Sequence, residues 1–307
     1  MPEYACGSNS GGLTKGYDCL QGVIIKGIGG FYYVRAENGR TYECKARGIF
    51  RKENIKPIIG DRVEISRIDE EHGSIDSIFT RINSLIRPPV ANIDAIVIVA
   101  AAKNPDPDFY LTDKLLLMAE IKGITPALCV NKTDLESSEK IKEVYRHSSY
   151  PVFDVCAAEN LLPDGLIEFI SGKTTAFAGL SGVGKSSILN LIVDNAVETG
   201  GISEKIGRGK HTTRHVELFE LKSGGYVLDT PGFSAFEPDI IDAADLCGYF
   251  PEMREYSDCC RFRGCAHIAE PGCAVKEALS EGKISPERYQ SYTKMYEVLK
   301  NHKKWEV

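Results

Sequence analysis

The chain of 307 residues is 43% hydrophobic and 26% charged, which is the composition of a folded protein with two or three modules and excludes extensive disorder. Its formal net charge of -6 excludes a nucleic-acid-binding protein that is basic over its whole length. The longest apolar run is far shorter than the roughly 20 residues of a membrane helix, and the N-terminus lacks the basic start and apolar middle of a secretory signal. Ten cysteines in such a chain indicate a reducing compartment, and we expect the cytoplasm.

Residues 1–16 are expected to form a flexible N-terminus, and residues 17–88 a small barrel. Short apolar runs without a helical period predict a five-stranded β-barrel of the OB type. The predicted strands include 22–25, 31–35, 41–45 and 61–65, and the predicted turns include Gly29-Gly30, Asn38-Gly39 and His72-Gly73. Between Lys15 and Arg67, eleven basic residues stand against six acidic ones. This local charge favours a nucleic-acid surface, and a purely structural cap is the alternative.

A second module is expected over residues 89–238, because Pro88-Pro89 makes a stiff break and the sequence pattern then changes. Apolar strands alternate with helical stretches, which is typical of an α/β fold with a mostly parallel sheet and flanking helices. The segments are 95–102, 109–122, 125–130, 152–157 and 174–178. Ligands bind at the carboxyl ends of such strands, so motifs found there are candidate binding sites.

A phosphate-binding loop follows the predicted strand 174–178 and precedes a helical stretch, which is the context that the motif G-x-x-x-x-G-K-S requires. Its glycines allow backbone N–H groups to face phosphate oxygens. Lys185 is expected to reach the β- and γ-phosphates and Ser186 to bind Mg²⁺. A glycine-rich turn without a nucleotide is the alternative. The candidate nucleotide-binding residues of this P-loop are Gly179, Leu180, Ser181, Gly182, Val183, Gly184, Lys185, Ser186 and Ser187.

A guanine-reading tetrad, Asn131, Lys132, Thr133 and Asp134, follows another strand of the same sheet. The Asp134 carboxylate can accept hydrogen bonds from guanine N1–H and N2–H₂, which adenine does not offer. The tetrad therefore predicts GTP rather than ATP. The segment 155–158 ends a further strand and can supply a backbone N–H to guanine O6, although a plain strand end would have the same sequence.

A D-x-x-G motif, from Asp229 to Gly232, ends a third apolar strand, where the aspartate would hold Mg²⁺ through water and the glycine N–H would sense the γ-phosphate. A strand followed by a β-turn is the alternative. A glycine-rich segment upstream, residues 207–215, contains two candidate Mg²⁺ ligands, Thr212 and Thr213. The sequence leaves open which of them binds Mg²⁺ or whether both cap a strand. The candidate catalytic residues are Lys185, Ser186, Thr212, Thr213, Asp229 and Gly232.

Phe233 stands where many small GTPases carry a glutamine that orients water. An apolar ring cannot position water, so we expect slow intrinsic hydrolysis that needs a partner to order the switch. His211 and His215 are candidate substitutes for the glutamine.

The order of the motifs predicts a circular permutation, because the tetrad at Asn131 precedes the P-loop at Gly179, whereas the usual GTPase has the reverse order. Such a rearrangement is tolerated because the termini of a domain often lie close together. The D-x-x-G motif then leads directly into the C-terminal module.

A third, mostly helical module is expected over residues 239–307, with helices near 275–279 and 286–300. Within it, Cys260-x₄-Cys265-x-His267-x₅-Cys273 places four soft ligands within fourteen residues, which fits one closed tetrahedral zinc site. A closed site is structural, and metal binding would add folding energy to a small core. Buried cysteines without a metal are the alternative.

The permuted motif order, Gly209-Lys-His-Thr-Thr, Asp229-Thr-Pro-Gly-Phe and the Cys/His spacing together closely resemble the ribosome small-subunit-dependent GTPase A family, also called RsgA or YjeQ/YloQ, over residues 20–300. The resemblance implies an OB domain, a permuted GTPase domain and a zinc domain that act in late maturation of the bacterial 30S subunit through 16S rRNA. It places the family's guanine tetrad on 131–134, its P-loop on 179–187 and its zinc ligands on the four Cys/His residues. Cys156 and Ala158 depart from the Ser-Ala-Lys that is common among GTPases, which weakens only the predicted contact with guanine O6.

The prediction is thus a monomeric GTP hydrolase that the small ribosomal subunit stimulates, with GTP and GDP as ligands, Mg²⁺ bound with GTP, and no membrane partner. Two alternatives remain open. One is a different P-loop NTPase or kinase, which the guanine tetrad disfavours. The other is an RNA-binding module that uses GTP as a structural ligand.

Overall fold

The computed structural model describes residues 18–52, 55–196, 216–229 and 241–302, which fall into two compact units. The first unit lies within Met1–Pro57 and Asp61–Thr80, and the second within Ile58–Gly60 and Arg81–Val307. The expected flexible terminus, residues 1–16, lies outside the described residues.

The first unit is a closed five-stranded barrel of the OB type, which confirms the predicted fold. Its elements are β1 (Cys19–Ile28), β2 (Phe31–Ala36), β3 (Thr41–Ala46), α1 (Gly48–Lys52), β4 (Arg62–Arg67) and β5 (His72–Ile78). The barrel closes in the order β1-β2-β3-β5-β4, with a parallel pairing between β3 and β5 and antiparallel pairings elsewhere. The alternating apolar side chains of these strands form its core, which includes Ile24, Val34, Tyr42, Val63, Ile65 and Ile75.

One of the predicted turns in the barrel is wrong, because His72 and Gly73 begin β5. The chain turns just before them, where Asp69 Oδ1 accepts the backbone N–H groups of Glu71 and His72, each at 2.8 Å. Gly73 serves a close approach of strands instead: a Cβ atom there would lie 3.0 Å from Cys44 Sγ. A glycine in a strand marks either a turn or such a close approach, and the sequence alone did not separate the two.

The second unit contains a six-stranded sheet with flanking helices. Its elements before the C-terminal module are β6 (Ser84–Leu85), β7 (Val90–Ala91), β8 (Ala95–Ala101), α2 (Phe109–Lys122), β9 (Thr125–Asn131), α3 (Glu139–Tyr145), β10 (Val152–Asp154), α4 (Asp164–Ile170), β11 (Thr174–Ala178), α5 (Lys185–Ala196), β12 (Phe219–Glu220) and β13 (Tyr226–Asp229). The sheet order is β10-β9-β8-β11-β13-β12, and every pairing is parallel except the one between β12 and β13. The mostly parallel α/β fold is therefore confirmed.

The ends of α2 show why its limits could be predicted. Asp108 caps the helix N-terminus, since its carboxylate accepts the N–H of Leu111 at 2.9 Å. Gly123 ends the helix in the left-handed conformation, at φ +64°. Pro88 and Pro89, at the predicted break, lie at the tip of the antiparallel pair β6 and β7.

The C-terminal module is helical, as predicted. It consists of a 3₁₀ segment at Ala243–Tyr249 and the helices α6 (Pro251–Ser257), α7 (Ala274–Ser280) and α8 (Pro286–His302). Its core contains Leu246, Phe250 and Tyr292 and extends to Leu117 on α2 of the sheet domain. Among the helices in the described ranges, we find none with the length and apolar character that a membrane crossing requires.

Candidate functional site

The P-loop connects the end of β11 to the N-terminus of α5. It therefore lies at the carboxyl end of the sheet. Gly179, Gly182 and Gly184 have φ values of +141°, +82° and +95°. A Cβ atom at Gly179 would lie 2.2 Å from the carbonyl oxygen of Val99, and one at Gly184 would lie 2.2 Å from Asn131 Nδ2. Glycine is therefore required at two positions by contact with the neighbouring strands as well as by the backbone conformation.

Lys185 is the first residue of α5, and its side chain folds back into the loop. Its Nζ donates hydrogen bonds to the carbonyl oxygens of Gly179 at 2.9 Å and Leu180 at 2.8 Å. Burial lowers the pKa of Lys185, and the nearby charge of Asp229 opposes this shift. The ammonium group is thus already held within the loop that would surround a phosphate.

Two of the predicted Mg²⁺ ligands, Ser186 and Asp229, lie in the described part of the chain, and their side chains are in contact. Asp229 ends β13, which is the neighbour of the P-loop strand β11. Ser186 Oγ donates a hydrogen bond to Asp229 Oδ2 at 3.1 Å. A hydroxyl and a carboxylate oxygen at this distance are a donor set that suits Mg²⁺ beside a nucleotide phosphate.

Asn131 connects the tetrad to the P-loop and to the segment after β10. Its side chain is buried, and its Nδ2 donates to the carbonyl oxygen of Val183 at 2.8 Å. Its Oδ1 accepts the backbone N–H of Ala157 at 3.1 Å. The three loops that the sequence assigned to one nucleotide site are therefore joined through a single amide.

The other tetrad residues extend the same connection. Lys132 has a positive φ of +63°, and its Nζ donates to the carbonyl oxygens of Gly182, at 2.8 Å, and of Asn104. Thr133 Oγ1 donates to the carbonyl oxygen of Val155 at 3.2 Å. The sequence did not predict the contact between Lys132 and Asn104, because Asn104 belongs to no motif.

Asp134 is exposed, as a group that reads a base must be before the nucleotide binds. One oxygen of its carboxylate, Oδ1, accepts a hydrogen bond from the thiol of Cys156 at 3.2 Å. From the sequence, only a backbone contact was predicted for this segment, and the contact of the Cys156 side chain was not predicted.

Several predicted residues lie outside the described part of the chain, namely Thr212, Thr213 and Gly232, with His211, His215 and Phe233. Their roles stay predictions.

A second cluster lies in the C-terminal module, where Cys260, Cys265, His267 and Cys273 converge. Their ligand atoms all lie within 4.8 Å of one another. Cys260 Sγ lies 3.5 Å from His267 Nδ1 and 3.9 Å from Cys273 Sγ, and His267 Nδ1 lies 3.4 Å from Cys273 Sγ. A tetrahedral site with metal–sulfur bonds of about 2.3 Å has ligand–ligand edges of about 3.8 Å. The distances between the four side chains therefore fit the tetrahedral coordination of one metal ion.

The backbone around the cluster is held by neighbouring side chains. Two tyrosines of α8 donate to it: Tyr289 Oη to the carbonyl oxygen of His267 at 2.6 Å, and Tyr292 Oη to that of Ala266 at 2.9 Å. Glu270 accepts the N–H groups of three loop residues, Ala266, Ile268 and Ala269, at 3.0 to 3.1 Å. Burial lowers the pKa of His267, which keeps its imidazole neutral as metal ligation requires. Cys259, next to the first ligand, is exposed and lies outside the cluster.

Comparison with known proteins agrees with these features. The family models "RsgA GTPase" and "RsgA N-terminal domain" match residues 78–239 and 21–75. The chain is 50% identical over 286 residues to the small ribosomal subunit biogenesis GTPase RsgA of Ruminiclostridium cellulolyticum, covering 91% of this chain and 94% of that protein. It is 47% identical to the protein of the same name from Agathobacter rectalis, covering 93% and 100%.

Two solved structures have a similar fold. YjeQ from Thermotoga maritima has 34% identity and a TM-score of 0.79, covering 92% of this chain and 98% of that one. YloQ, described as a circularly permuted GTPase, has 36% identity and a TM-score of 0.79, covering 95% and 99%. The residues matched by the two family models include the barrel strands and the sheet with the P-loop and the guanine tetrad. The chain therefore belongs to the RsgA family of circularly permuted GTPases.

Proposed function

We propose that this protein hydrolyses GTP to GDP and phosphate when the small ribosomal subunit stimulates it, and that it acts in late maturation of that subunit through contacts with its rRNA. The observation that carries the proposal is the single connected site in which Asn131 and Lys132 hold the P-loop. The names of the RsgA relatives support the choice of the small subunit as the partner.

The proposed roles of the site residues follow from their positions. Lys185 and the backbone N–H groups of 179–187 bind the phosphates. Asp134 reads guanine, while Asn131, Lys132 and Thr133 hold the loops around it. Ser186 and Asp229 bind Mg²⁺ with GTP, completed by Thr212 or Thr213, and Gly232 senses the γ-phosphate.

The C-terminal cluster is proposed to hold one structural zinc ion through Cys260, Cys265, His267 and Cys273. Three sulfur ligands and one imidazole favour zinc over Mg²⁺ or Ca²⁺, which prefer oxygen. Four protein ligands leave no open position, so the ion supplies stability rather than chemistry.

The barrel offers a surface that suits rRNA. A pocket of about 670 Å³ is lined by aromatic and basic side chains, which include Phe31, Tyr32, Lys45, Arg47 and Lys56. Lys45 Nζ lies 4.8 Å from the centre of the Phe31 ring. Aromatic rings can stack with unpaired bases while basic side chains neutralise phosphates, so this surface supports contacts with single-stranded or looped RNA.

We further propose that the protein acts in the cytoplasm as a monomer, with a barrel domain over residues 17–88, a GTPase domain over 89–238 and a zinc domain over 239–307. The reducing conditions of the cytoplasm suit a protein whose described cysteines form no disulfide bonds.

The test is GTP hydrolysis by the purified protein with and without small ribosomal subunits, across a series of salt concentrations. We expect the subunit to raise kcat, and we expect the stimulation to fall steeply with salt, because binding through phosphates releases counterions. Equal turnover in both samples would overturn the proposed dependence on the subunit. Bound GTP that is never hydrolysed on the subunit would favour the RNA-binding alternative, and equal affinity for ATP and GTP would favour another P-loop NTPase.

A further inference from the structure

The pocket of the barrel has a closed floor and an open side. Phe50 and Pro57, which line it, are buried and form the floor. The turn of Gly29 and Gly30 lies at its edge, and a Cβ atom at either glycine would meet no heavy atom within 4 Å beyond its chain neighbours. The volume of about 670 Å³ lies within the range of roughly 300–1,000 Å³ that is typical of small-molecule sites. A single nucleotide can therefore enter the pocket over this turn.

The charged side chains of the pocket are all positive. Lys45, Arg47 and Lys56 line it, and no lining residue in the described part of the chain is acidic. Lysine and arginine side chains donate hydrogen bonds and accept none. A ligand of this pocket therefore has to present negative charge or hydrogen-bond acceptors to them.

An aromatic ring lies beside one of these charges. Phe31 of β2 is paired with Lys45 of β3, and Lys45 Nζ lies 4.8 Å from the centre of the Phe31 ring. Phe31 is only partly buried, so its ring offers a flat apolar surface on which a base can stack. The ammonium group of Lys45 can pair with the phosphate of a nucleotide that is stacked there. A flat ring next to a positive charge matches the two parts of a nucleotide, its base and its phosphate.

The guanidinium of Arg47 is held in place by a carboxylate outside the pocket lining. Its Nη2 lies 2.8 Å from Asp76 Oδ1, and Asp76 Oδ2 accepts a hydrogen bond from Ser66 Oγ. The Arg47 side chain is nevertheless 56% exposed, and a guanidinium has five N–H donors, so donors remain for a ligand. Two adjacent donors of an oriented guanidinium match the O6 and N7 acceptors of guanine, whereas adenine presents a donor at N6. The pocket therefore suits guanine better than the other bases.

From these contacts we propose that the barrel pocket binds one unpaired guanosine of an RNA chain. The base stacks on Phe31, its O6 and N7 accept hydrogen bonds from Arg47, and Lys45 pairs with phosphate. The inference rests on the proposed function for the identity of the partner, RNA, and adds a base preference to it. Contacts with phosphates alone would carry no such preference.

A competing explanation is that the ion pair of Arg47 and Asp76 only stabilises the barrel. Arg40 provides a matched control, because it lies in the same barrel, forms an ion pair with Glu70 and does not line the pocket. Its side chain is 58% exposed, against 56% for that of Arg47. Substitution with lysine at either position therefore changes an arginine–carboxylate pair of similar exposure, and only Arg47→Lys changes the pocket.

The experiment measures dissociation constants of the full-length protein for a labelled RNA hairpin whose loop is uridine except for one guanosine. Excess GDP occupies the proposed nucleotide site. Three further hairpins carry 7-deazaguanosine, adenosine or uridine in place of the guanosine, and 7-deazaguanosine lacks only the N7 acceptor. We expect the guanosine hairpin to bind at least about fivefold more tightly than each of the other three.

The variants assign this preference to the pocket. Arg47→Lys keeps a positive charge beside Asp76 but removes the paired donors of the guanidinium, so it should bind the four hairpins with similar affinity. Arg40→Lys should keep the wild-type preference. Lys45→Met should weaken all four hairpins by a similar factor, and it should reduce the salt dependence of binding by about one phosphate contact.

Several results would overturn the inference. They are equal affinity of the wild-type protein for the four hairpins, no measurable binding of the guanosine hairpin at low salt, and a guanosine preference that Arg47→Lys retains or that Arg40→Lys loses equally. Free guanosine monophosphate should compete weakly, because it lacks the phosphates of neighbouring nucleotides. Displacement of the hairpin at equal concentration would assign the pocket to a small nucleotide and overturn its assignment to RNA.

The same measurements separate this inference from the proposed function. Stimulation of GTP hydrolysis by the small ribosomal subunit does not require a base preference in the pocket, so it can persist when the four hairpins bind equally. Thermal unfolding identifies any variant that does not fold. If Arg47→Lys does not fold, the comparison of guanosine with 7-deazaguanosine in the wild-type protein decides whether N7 is read.

Discussion

Arg288 of α8 and Asp113 of α2 form a fully buried ion pair, in which Nη1 lies 2.6 Å from Oδ1. The same guanidinium donates to both oxygens of Glu252 on α6, at 2.6 and 3.1 Å. Tyr145 of α3 donates its hydroxyl to Asp113 at 2.9 Å, and the guanidinium lies 4.6 Å from the centre of the Phe250 ring. The C-terminal helix is therefore connected by charge to the sheet domain as well as to its own module.

Removal of the guanidinium should destabilise the protein strongly. Arg288→Met leaves two buried carboxylates without their counterion, and we expect a loss of about 3–5 kcal/mol in the free energy of unfolding, measured by urea titration. Arg254→Met, an exposed arginine on α6, should cost less than about 0.5 kcal/mol. If charge is the cause, adding Asp113→Asn and Glu252→Gln to Arg288→Met should recover most of the loss. A triple variant as unstable as the single one would contradict this explanation.

The zinc content of purified variants should distinguish the four clustered residues, which are proposed to bind the metal, from the neighbouring Cys259. Cys265→Ala removes one of four ligands, and we expect the purified protein to hold much less than one equivalent of zinc, measured by elemental analysis. Cys259→Ala removes an exposed thiol next to a ligand and should keep a full equivalent. One equivalent of zinc in both variants would show that the cluster is not the zinc site.

Loss of the metal should also lower the stability of the sheet domain, outside the metal loop itself. Tyr289 and Tyr292, which hold the carbonyl oxygens of the metal loop, lie on the same helix as Arg288. Because α8 connects the metal loop to α2, we expect chelation of the proposed zinc ion to lower the temperature at which the sheet domain melts. Near-ultraviolet circular dichroism with GTP absent would measure this melting temperature. Cys259→Ala should show the same shift as the wild type. A sheet domain that melts at an unchanged temperature after chelation would refute this coupling.

Two glycines of the P-loop should differ in their tolerance of alanine. Both have positive φ, but a Cβ atom at Gly184 would lie 2.2 Å from Asn131 Nδ2, whereas the nearest atom at Gly182 is Pro105 Cδ at 4.0 Å. Asn131 is buried and bonded on both sides, so it cannot move away. Gly182→Ala should lower the free energy of unfolding by about 1 kcal/mol through backbone strain. Gly184→Ala should lower it by at least about 2 kcal/mol more, because a buried hydrogen bond of Asn131 is also broken. Equal unfolding free energies without nucleotide would disprove the role of the clash.

The sequence predicted those parts of the protein in which a local pattern has one physical meaning. α2 and β11 have the predicted limits, because Asp108 and Gly123 cap the helix and the P-loop ends the strand. By contrast, the network around Arg288 joins residues 175 positions apart, and no local pattern marks them as partners. For the segment of Cys156 the sequence predicted only a backbone contact, because the carboxylate that the thiol contacts belongs to another loop.

The base assignment itself can be tested by changing one atom of Asp134. Asp134→Asn replaces a carboxylate oxygen with an amide N–H₂, which cannot accept from guanine N2–H₂ but can donate to the O2 of xanthine. We expect the affinity for GTP to fall at least tenfold and that for XTP to rise by a similar factor, because each changed hydrogen bond of a buried base contributes about 1–3 kcal/mol. The measurement is competition between the two nucleotides on the full-length protein. A variant that still prefers GTP as strongly as the wild type would show that Asp134 does not read the base.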